Sequence, residues 1–445
     1  MRHTAIQRTV WLLVFWALTF EGCASRRPPV DAIDRESALA TFDRAWSIIH
    51  ESHFDTEFNG VDWPALRDEL RPRAADATTT RELRAIIREM ISRLGQSHFA
   101  LISGHVVEGD RAGGDGQVGL DLRLVDDRFV VSFVEPDASA DLAGVRQGWI
   151  LLTIDGRKLD DWKSRYDSVD DGQGGRLIAV EAVLGRLAGP PGSSISLEFF
   201  DATDREVRVA LEREHPTGER VQIGNLPPFF AKLERDEIRP DGLGIEVGII
   251  RLNVWMPALS RPFAEAVDAF RDDDGMIIDL RGNPGGIGAM VMGIAGHFLD
   301  ERVALGTLTM RDQELKFVAN PRRVNPAGDR VQPYDGPLAI LTDELTASTS
   351  ELFAGGLQDL GRARVFGTRS AGMALPAMTD RLPNDDVLYH AIANLTTASG
   401  MQIEQHGVVP DVQVPLVRGD LLAGRDATLE AALRWIAEES FRRNP

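Results

Sequence analysis

Between Gly244 and Arg418 short apolar runs of strand length alternate with segments of helical periodicity, and this alternation constrains the fold more than any other feature. Ile245 to Val254 reads as a strand, Phe263 to Phe270 as a helix, and Gly275 to Leu280 as a second strand. That strand breaks at Arg281-Gly282-Asn283-Pro284-Gly285-Gly286 before a helix over Ala289 to Phe298. Leu338 to Leu341 is a further short buried strand, and Leu352, Phe353, Leu357 and Leu360 recur at helical spacing after it. Strands that alternate with helices pack as a largely parallel sheet, so this region is α/β.

Size and charge bound the rest. At 445 residues and 43% hydrophobic content, the chain is long enough for two or three domains with a sizeable core. A net charge of −19 excludes a nucleic-acid backbone as partner, because phosphate binding calls for a basic surface. With Cys23 as the only cysteine, no intrachain disulfide can form. The four lysines are Lys158, Lys163, Lys232 and Lys316, and none lies in the last quarter of the chain.

The first residues have the form of a targeting signal. Arg2 and Arg8 precede an apolar run from Val10 to Leu18, which is short for a membrane span but matches the apolar stretch of a cleaved secretory peptide over residues 1–22. Cys23 follows directly and resembles the acylated cysteine of a bacterial lipoprotein, although Phe20 and Glu21 fit that pattern poorly. The expectation is an exported protein of the periplasm or outer membrane, with residues 23–35 as a tether and a lipid at Cys23 as its membrane contact.

Residues 36–105 are expected to be helical. Phe42, Trp46 and Ile49 share one helix face, and Leu83, Ile86, Ile87, Met90, Ile91 and Leu94 mark another helix started by a Thr79-to-Glu82 capping box. This second helix runs into Leu94-Gly95-Gln96-Ser97-His98-Phe99-Ala100-Leu101. Of nine histidines most must be inert, and His98 alone is compatible with an ordinary loop position.

A different module spans 112–215. The alternating strand Arg128 to Val134 is followed by a helix-like Ala138 to Leu142 and by Gly144-Val145-Arg146-Gln147-Gly148-Trp149-Ile150-Leu151-Leu152-Thr153-Ile154-Asp155-Gly156. This resembles a PDZ domain, which adds an extended peptide to a strand edge and holds its terminal carboxylate on loop amides. Gly119-Leu120-Asp121 is a degenerate version of that carboxylate loop, so a purely packing role for the module stays open.

Two turns in the α/β region carry the chemistry. The first is Asp279-Leu280-Arg281-Gly282-Asn283-Pro284-Gly285-Gly286, where glycines let backbone amides approach a ligand closely. A structural turn and an oxyanion hole look alike there. The second is Thr346-Ala347-Ser348-Thr349-Ser350-Glu351 at a helix N-terminus, where Ser348 or Ser350 could simply cap the helix.

Taken with the Gln358-Asp359, Gly361-Arg362-Ala363 and Gly367-Thr368 that follow it, the second turn resembles the nucleophile region of the C-terminal-processing (tail-specific) serine peptidases. The resemblance implies an α/β core of the ClpP/crotonase-like type over 220–420, while Leu429, Ala432, Leu433 and Ile436 on one face mark a closing helix over 426–442 capped by Asp426, which needs only a packing role. It makes Ser348 the nucleophile, and the amides of Gly285 or Gly286 and of Thr349 the oxyanion donors. Met373 stands where the processing branch has its lysine, so that dyad cannot be built. The L-x-x-S-H-x-x-L run at Leu94 instead resembles the tricorn-core branch, whose Ser–His–Ser–Glu tetrad needs no lysine. By that resemblance His98 is the general base, and Ser97 and Glu404 orient it. Glu404 lies in Glu404-Gln405-His406-Gly407-Val408-Val409-Pro410-Asp411, similar to the family's E-x-x-G-V-x-P-D segment, although a solvated loop carboxylate reads the same way.

The implied activity is a serine endopeptidase acting on peptides or unfolded polypeptides, engaged through their C-termini at the PDZ-like module, with no metal and no organic cofactor. A catalytically inactive envelope binding protein or a PDZ-type scaffold that keeps the fold is the alternative.

Overall fold

The computed structural model describes residues 31–104, 114–159 and 173–443. The expected signal peptide, Cys23 and most of the tether lie outside the described residues.

The N-terminal unit is helical, as its sequence pattern implies. Helices α1 (Arg35–Ser52), α2 (Trp63–Asp76) and α3 (Thr80–Ser92) pack around Phe42, Ile49, Trp63, Leu70, Leu83 and Ile87, all fully buried. Thr79 and Glu82 form the reciprocal capping box that starts α3. Strand β1 (Ala100–Ile102) then leaves this unit to pair with a strand far along the chain.

Among the described residues the second unit is an antiparallel sheet with two helices. Its elements are β2 (Leu120–Val125), β3 (Arg128–Val134), α4 (Ser139–Leu142), β4 (Ile150–Ile154), β5 (Arg157–Lys158), α5 (Gln173–Leu187), β6 (Ser194–Phe200) and β7 (Glu206–Glu212). The strand order is β2-β3-β4-β6-β7, with β5 paired to β4 and β2 at an edge. Its core does not stop at the unit's own boundary. Leu345, Ala347 and Ala371 of the following unit belong to the same apolar cluster, with Met373 packed against it.

A small pair, β8 (Glu219–Val221) and β9 (Phe229–Ala231), leads into the main sheet. That region comprises β10 (Leu233–Ile238), β11 (Val247–Leu252), α6 (Ser260–Ala269), β12 (Gly275–Asp279), α7 (Met290–Ala295), β13 (Val303–Thr309), β14 (Glu314–Ala319), β15 (Leu338–Thr342), α8 (Thr349–Asp359) and β16 (Arg364–Gly367). After these come β17 (Ala377–Arg381), β18 (Val387–Ala391), β19 (Asn394–Thr397), β20 (Val412–Gln413), α9 (Arg418–Leu422) and α10 (Ala427–Arg443). The main sheet has the order β10-β11-β12-β15-β16-β20 and is parallel except for β10 against β11. Strands β12 and β15 are buried at every position, because helices cover both faces. Asp426 accepts from Leu429 N–H at 3.0 Å at the start of α10.

Two smaller sheets, β1-β18-β17 and β14-β13-β19, flank this core. The first carries the N-terminal unit onto it: Ala100 pairs with Tyr389, and the buried Asp386 takes an ion pair from Arg84. The helix expected over Ala289 to Phe298 is shorter, Met290–Ala295. The hairpin β13–β14 and the strands β17 to β19 were not foreseen from the pattern: β13, β14, β17 and β19 are only partly buried, and β18, buried at all but Tyr389, has its apolar run broken by His390.

Candidate active site

Ser348 sits where β15 passes through a turn into α8, with φ 55° and ψ −117°. An L-residue held in so sparsely populated a conformation stores on the order of 1–3 kcal/mol, so its surroundings must over-determine it. Its N–H lies 2.9 Å from Met373 O and 2.8 Å from Glu351 Oε2, and the preceding Ala347 N–H donates to Asn283 O at 3.0 Å. Glu351 is fully buried and also accepts from Ser370 Oγ at 2.5 Å, Gly372 N at 2.7 Å and Met373 N at 3.1 Å. Burial pushes its carboxyl up to about 7, against the pull of those donors. One buried carboxylate therefore pins both the serine backbone and the segment that passes over it.

Below the serine a second carboxylate does the same for the turn. Asp343 accepts from Gly282 N at 2.9 Å, Leu345 N at 3.0 Å and Arg123 Nε at 2.7 Å. Arg123 belongs to the second unit and is 6% exposed, so this ion pair bolts that unit to the serine turn out of water.

The glycine-rich turn closes on the serine from the other side. A Cβ on Gly285, at φ 106°, would stand 2.7 Å from Ser348 Cβ and 3.1 Å from Thr349 N. Only glycine fits that approach. The Gly285 amide, however, donates to Asn283 Oδ1 at 2.9 Å, so of the two glycine amides expected at the oxyanion position this one is occupied. The amides of Gly286 and Thr349 have no acceptor among the described residues. Ser350 is not a helix cap: its Oγ accepts from Trp255 Nε1 at 2.8 Å in the core.

Ser97, His98 and Glu404 come together. Ser97 N–H donates to Glu404 Oε1 at 3.0 Å, its Oγ donates to Oε2 at 2.9 Å, and His98 Nδ1 is 2.7 Å from the same Oγ. A hydroxyl has one proton, and here it goes to the carboxylate. Oγ therefore accepts from His98, which places the imidazole proton on Nδ1 and leaves Nε2 as the basic nitrogen. Glu404 is 4% exposed and also holds Ala374 N at 2.9 Å, so it is not the solvated loop carboxylate that its sequence allowed. The loop itself is tied by Asn59 Nδ2 to Leu94 O at 2.8 Å and by Gln96 Oε1 to His53 Nε2 at 2.9 Å. Burial pushes the His98 imidazole down to about 4, and the Tyr389 ring lies beside it at 5.6 Å between centroids.

His98, Ser348, Thr349, Gly285 and Gly286 all line one cavity of about 1170 Å³, which the second unit walls with Leu120, Ser132 and Phe133. Among the described residues no hydrogen bond joins His98 to Ser348. Met373, at the position of the missing lysine, offers the site its carbonyl and packs its side chain on the second unit's core. Sequence reasoning missed Glu351, Asn283, Asp343 and Arg123. Only Glu351 left a signal, as the acidic residue three places after Ser348.

This chain is similar to known proteins over nearly all of its length. The model of peptidase family S41 matches residues 246–414, and that of the tricorn protease C1 domain matches residues 34–92. The carboxyl-terminal-processing protease of Synechocystis is 27% identical over 438 residues, spanning 94% of this chain and 92% of the relative. The putative tricorn protease homolog 2 of Streptomyces coelicolor is 26% identical across 91% of this chain, though that covers only 32% of the larger protein. The solved photosystem II D1 C-terminal processing protease has the same fold, with a TM-score of 0.60 at 22% identity over 91% of this chain and 98% of its own. Together with the serine turn and the glycine-rich turn inside the matched core, these likenesses show a peptidase family S41 domain over residues 246–414 and make the chain a serine peptidase similar to the carboxyl-terminal-processing proteases.

Proposed function

We propose that the protein is an exported endopeptidase in which Ser348 is the nucleophile and His98 the general base. His98 Nε2 takes the hydroxyl proton as Ser348 Oγ attacks the peptide carbonyl, and returns it to the leaving amine. Water then repeats the sequence on the acyl-enzyme. The tetrahedral oxyanion lies against the Gly286 and Thr349 amides, where one donor is typically worth about 3 kcal/mol. Ser97 and Glu404 hold the ring in the required tautomer, as the third member of a triad does.

The observation that carries this reading is the hydrogen-bond chain from Glu404 through Ser97 to His98 Nδ1, which leaves Nε2 free in the cavity that holds Ser348. Catalytic hydrogen bonds are often long before substrate binds, which accommodates the open His98–Ser348 contact. A fluorophosphonate probe tests the assignment: labelling of Ser348 that disappears in His98→Ala supports it, and undiminished labelling in that variant overturns it. A non-hydrolytic binding protein is favoured instead if Ser348 stays unlabelled while peptides bind.

Export rests on the arginine-flanked apolar run before Cys23, with a lipid on that cysteine as the membrane contact. The second unit is read as a PDZ-like module receiving substrate C-termini, supported by the edge position of β2 and the lining of the cavity by Gly119 and Leu120. Binding of C-terminal peptides that is lost on amidation of the terminal carboxylate tests this.

A further inference from the structure

The two turns that meet at Ser348 are tied together by one residue that lies outside both. Trp255 follows β11 and is fully buried. Its N–H donates to Gly285 O and its carbonyl accepts from Ile287 N–H, both at 2.8 Å, so its backbone spans the glycine-rich turn as a parallel bridge to Gly286. Its indole Nε1 donates to Ser350 Oγ at 2.8 Å, and the ring packs on Phe353 at 5.0 Å between centroids. Ser350 and Phe353 are neighbours on one face of α8, whose first residue is Thr349.

These contacts set the direction of both open amides. A peptide unit is planar and trans, so its C=O and N–H point to opposite sides. The Gly285 carbonyl is held on Trp255 in the core, and the Gly286 N–H of the same unit therefore turns away from the core, toward the cavity that Gly285, Gly286, Ser348 and Thr349 line. Glycine is required for this approach, because at φ 142° a Cβ on Gly286 would stand 2.4 Å from Trp255 O. The Thr349 amide belongs to the first turn of α8, where no carbonyl of the helix can reach it, and the indole grips that turn through Ser350. Thr349 Oγ1 closes the loop by donating to Gly286 O at 2.9 Å. The two donors thus share one frame, and Trp255 is the part of it that holds both turns from behind the cavity wall.

We infer that Trp255 is the positioning residue of the oxyanion site, holding the Gly286 and Thr349 amides at one fixed spacing. This rests on the reading of Ser348 as nucleophile and of these amides as its oxyanion donors, and it deepens that reading by naming what aims them. Trp255 acts through the two amides rather than on the substrate. Donors aimed in advance need no reorganisation when negative charge develops on the carbonyl oxygen, and that is the step the frame serves. An apolar ring of similar size fills the same space; the indole N–H is the part that sets the distance between the turns.

The test compares Trp255→Phe, Ser350→Ala and the double variant with the wild-type protein, using succinyl-Ala-Ala-Val p-nitroanilide as substrate and the matching peptidyl trifluoromethyl ketone as inhibitor. Ser348 Oγ adds to the ketone carbon, its proton passes to His98, and the former carbonyl oxygen becomes the anion, with nothing leaving. Trp255→Phe is expected to lower kcat about tenfold or more with KM within about twofold, and to weaken the ketone by the same factor as kcat/KM, because the loss falls on the charged state alone. Ser350→Ala removes the same bond from its other end and should match it. The double variant leaves no buried group stranded, so it should melt near the wild-type temperature and be no slower than either single variant. A folded Trp255→Phe or Ser350→Ala protein with unchanged kcat overturns the inference, as do falls that multiply in the double variant, or a ketone affinity that holds while kcat drops. Amide exchange read by mass spectrometry needs no hydrolysis: segments 284–290 and 346–352 should both exchange faster in Trp255→Phe, and unchanged exchange there overturns the inference. Faster exchange in both, with a wild-type protein that neither hydrolyses the anilide nor binds the ketone, leaves the Trp255 frame standing and sinks the hydrolase reading.

Discussion

Ser97 and Glu404, 307 positions apart, are joined by two hydrogen bonds, one from the backbone N–H and one from the hydroxyl. This paired contact fixes where the N-terminal unit meets the core and which nitrogen of His98 carries its proton. A histidine at φ 60° on a loop would otherwise have no defined orientation.

Glu404→Ala is therefore expected to act on catalysis and folding together. It strands the Ser97 and Ala374 amides, at about 1–3 kcal/mol for each buried donor left without a partner. Glu404→Gln keeps the shape and one acceptor oxygen, and should fold with little loss while lowering kcat by about a hundredfold as the tautomer preference is lost. Urea unfolding and steady-state kinetics on the two variants distinguish the effects; an unchanged kcat in Glu404→Gln would remove Glu404 from the mechanism.

The serine itself has a stability signature. Ser348→Ala and Ser348→Gly both lose the proposed nucleophile, so hydrolysis should fall by about 10⁴-fold or more in each. Glycine relieves the positive φ and alanine does not, so Ser348→Gly should be more stable than Ser348→Ala by about 1 kcal/mol. Gly285→Ala runs the opposite way, because its Cβ meets Ser348 Cβ at 2.7 Å; it should be both inactive and destabilised.

Acidity separates two titrating groups of the site, His98 and Glu351. A base must be neutral to work, so kcat/KM should rise with pH through the His98 value, about 4, and be flat across 6.5. An acid limb centred near 6.5 would contradict a desolvated His98 as the base.

Glu351 acts on stability with the opposite sense. Its folded-state value, about 7, lies above the ordinary carboxyl value of 4.5. Its contribution to stability is complete below pH 4.5 and lost as pH rises through 7, by up to about 3 kcal/mol. Measured against Glu351→Gln, in which that titration is absent, wild-type stability should decline between pH 4.5 and 8; parallel curves for the two proteins would show that Glu351 does not titrate in this range.

Arg123→Ala leaves Asp343 buried and unpaired at the boundary between the second unit and the serine turn. Breaking such a pair from one side costs about 3–5 kcal/mol. Because Asp343 also holds Gly282 and Leu345, activity should fall with it, measured as kcat/KM at a denaturant-free temperature well below melting.

Much of this molecule is decided locally and is legible in the chain. Strand and helix periods over 245–418 specify a parallel sheet, because a face repeating every second or every 3.6 residues can be buried in only one way. The capping box at Thr79 and the Asp426 cap are likewise short-range requirements of the backbone. Strands β17 and β19 escaped, since partly buried strands carry no continuous apolar signal. What only the tertiary structure decides is partnership. Nothing in the sequence around Arg123 or Asp343 says that the first reaches the serine turn or that the second holds Gly282, because hydrogen bonds between distant segments have no period. Ser348 and Ser97-His98 could each be named from the chain, whereas the proton on His98 Nδ1 and the bond of the Trp255 indole to Ser350 follow from contacts that exist only once distant segments have folded together.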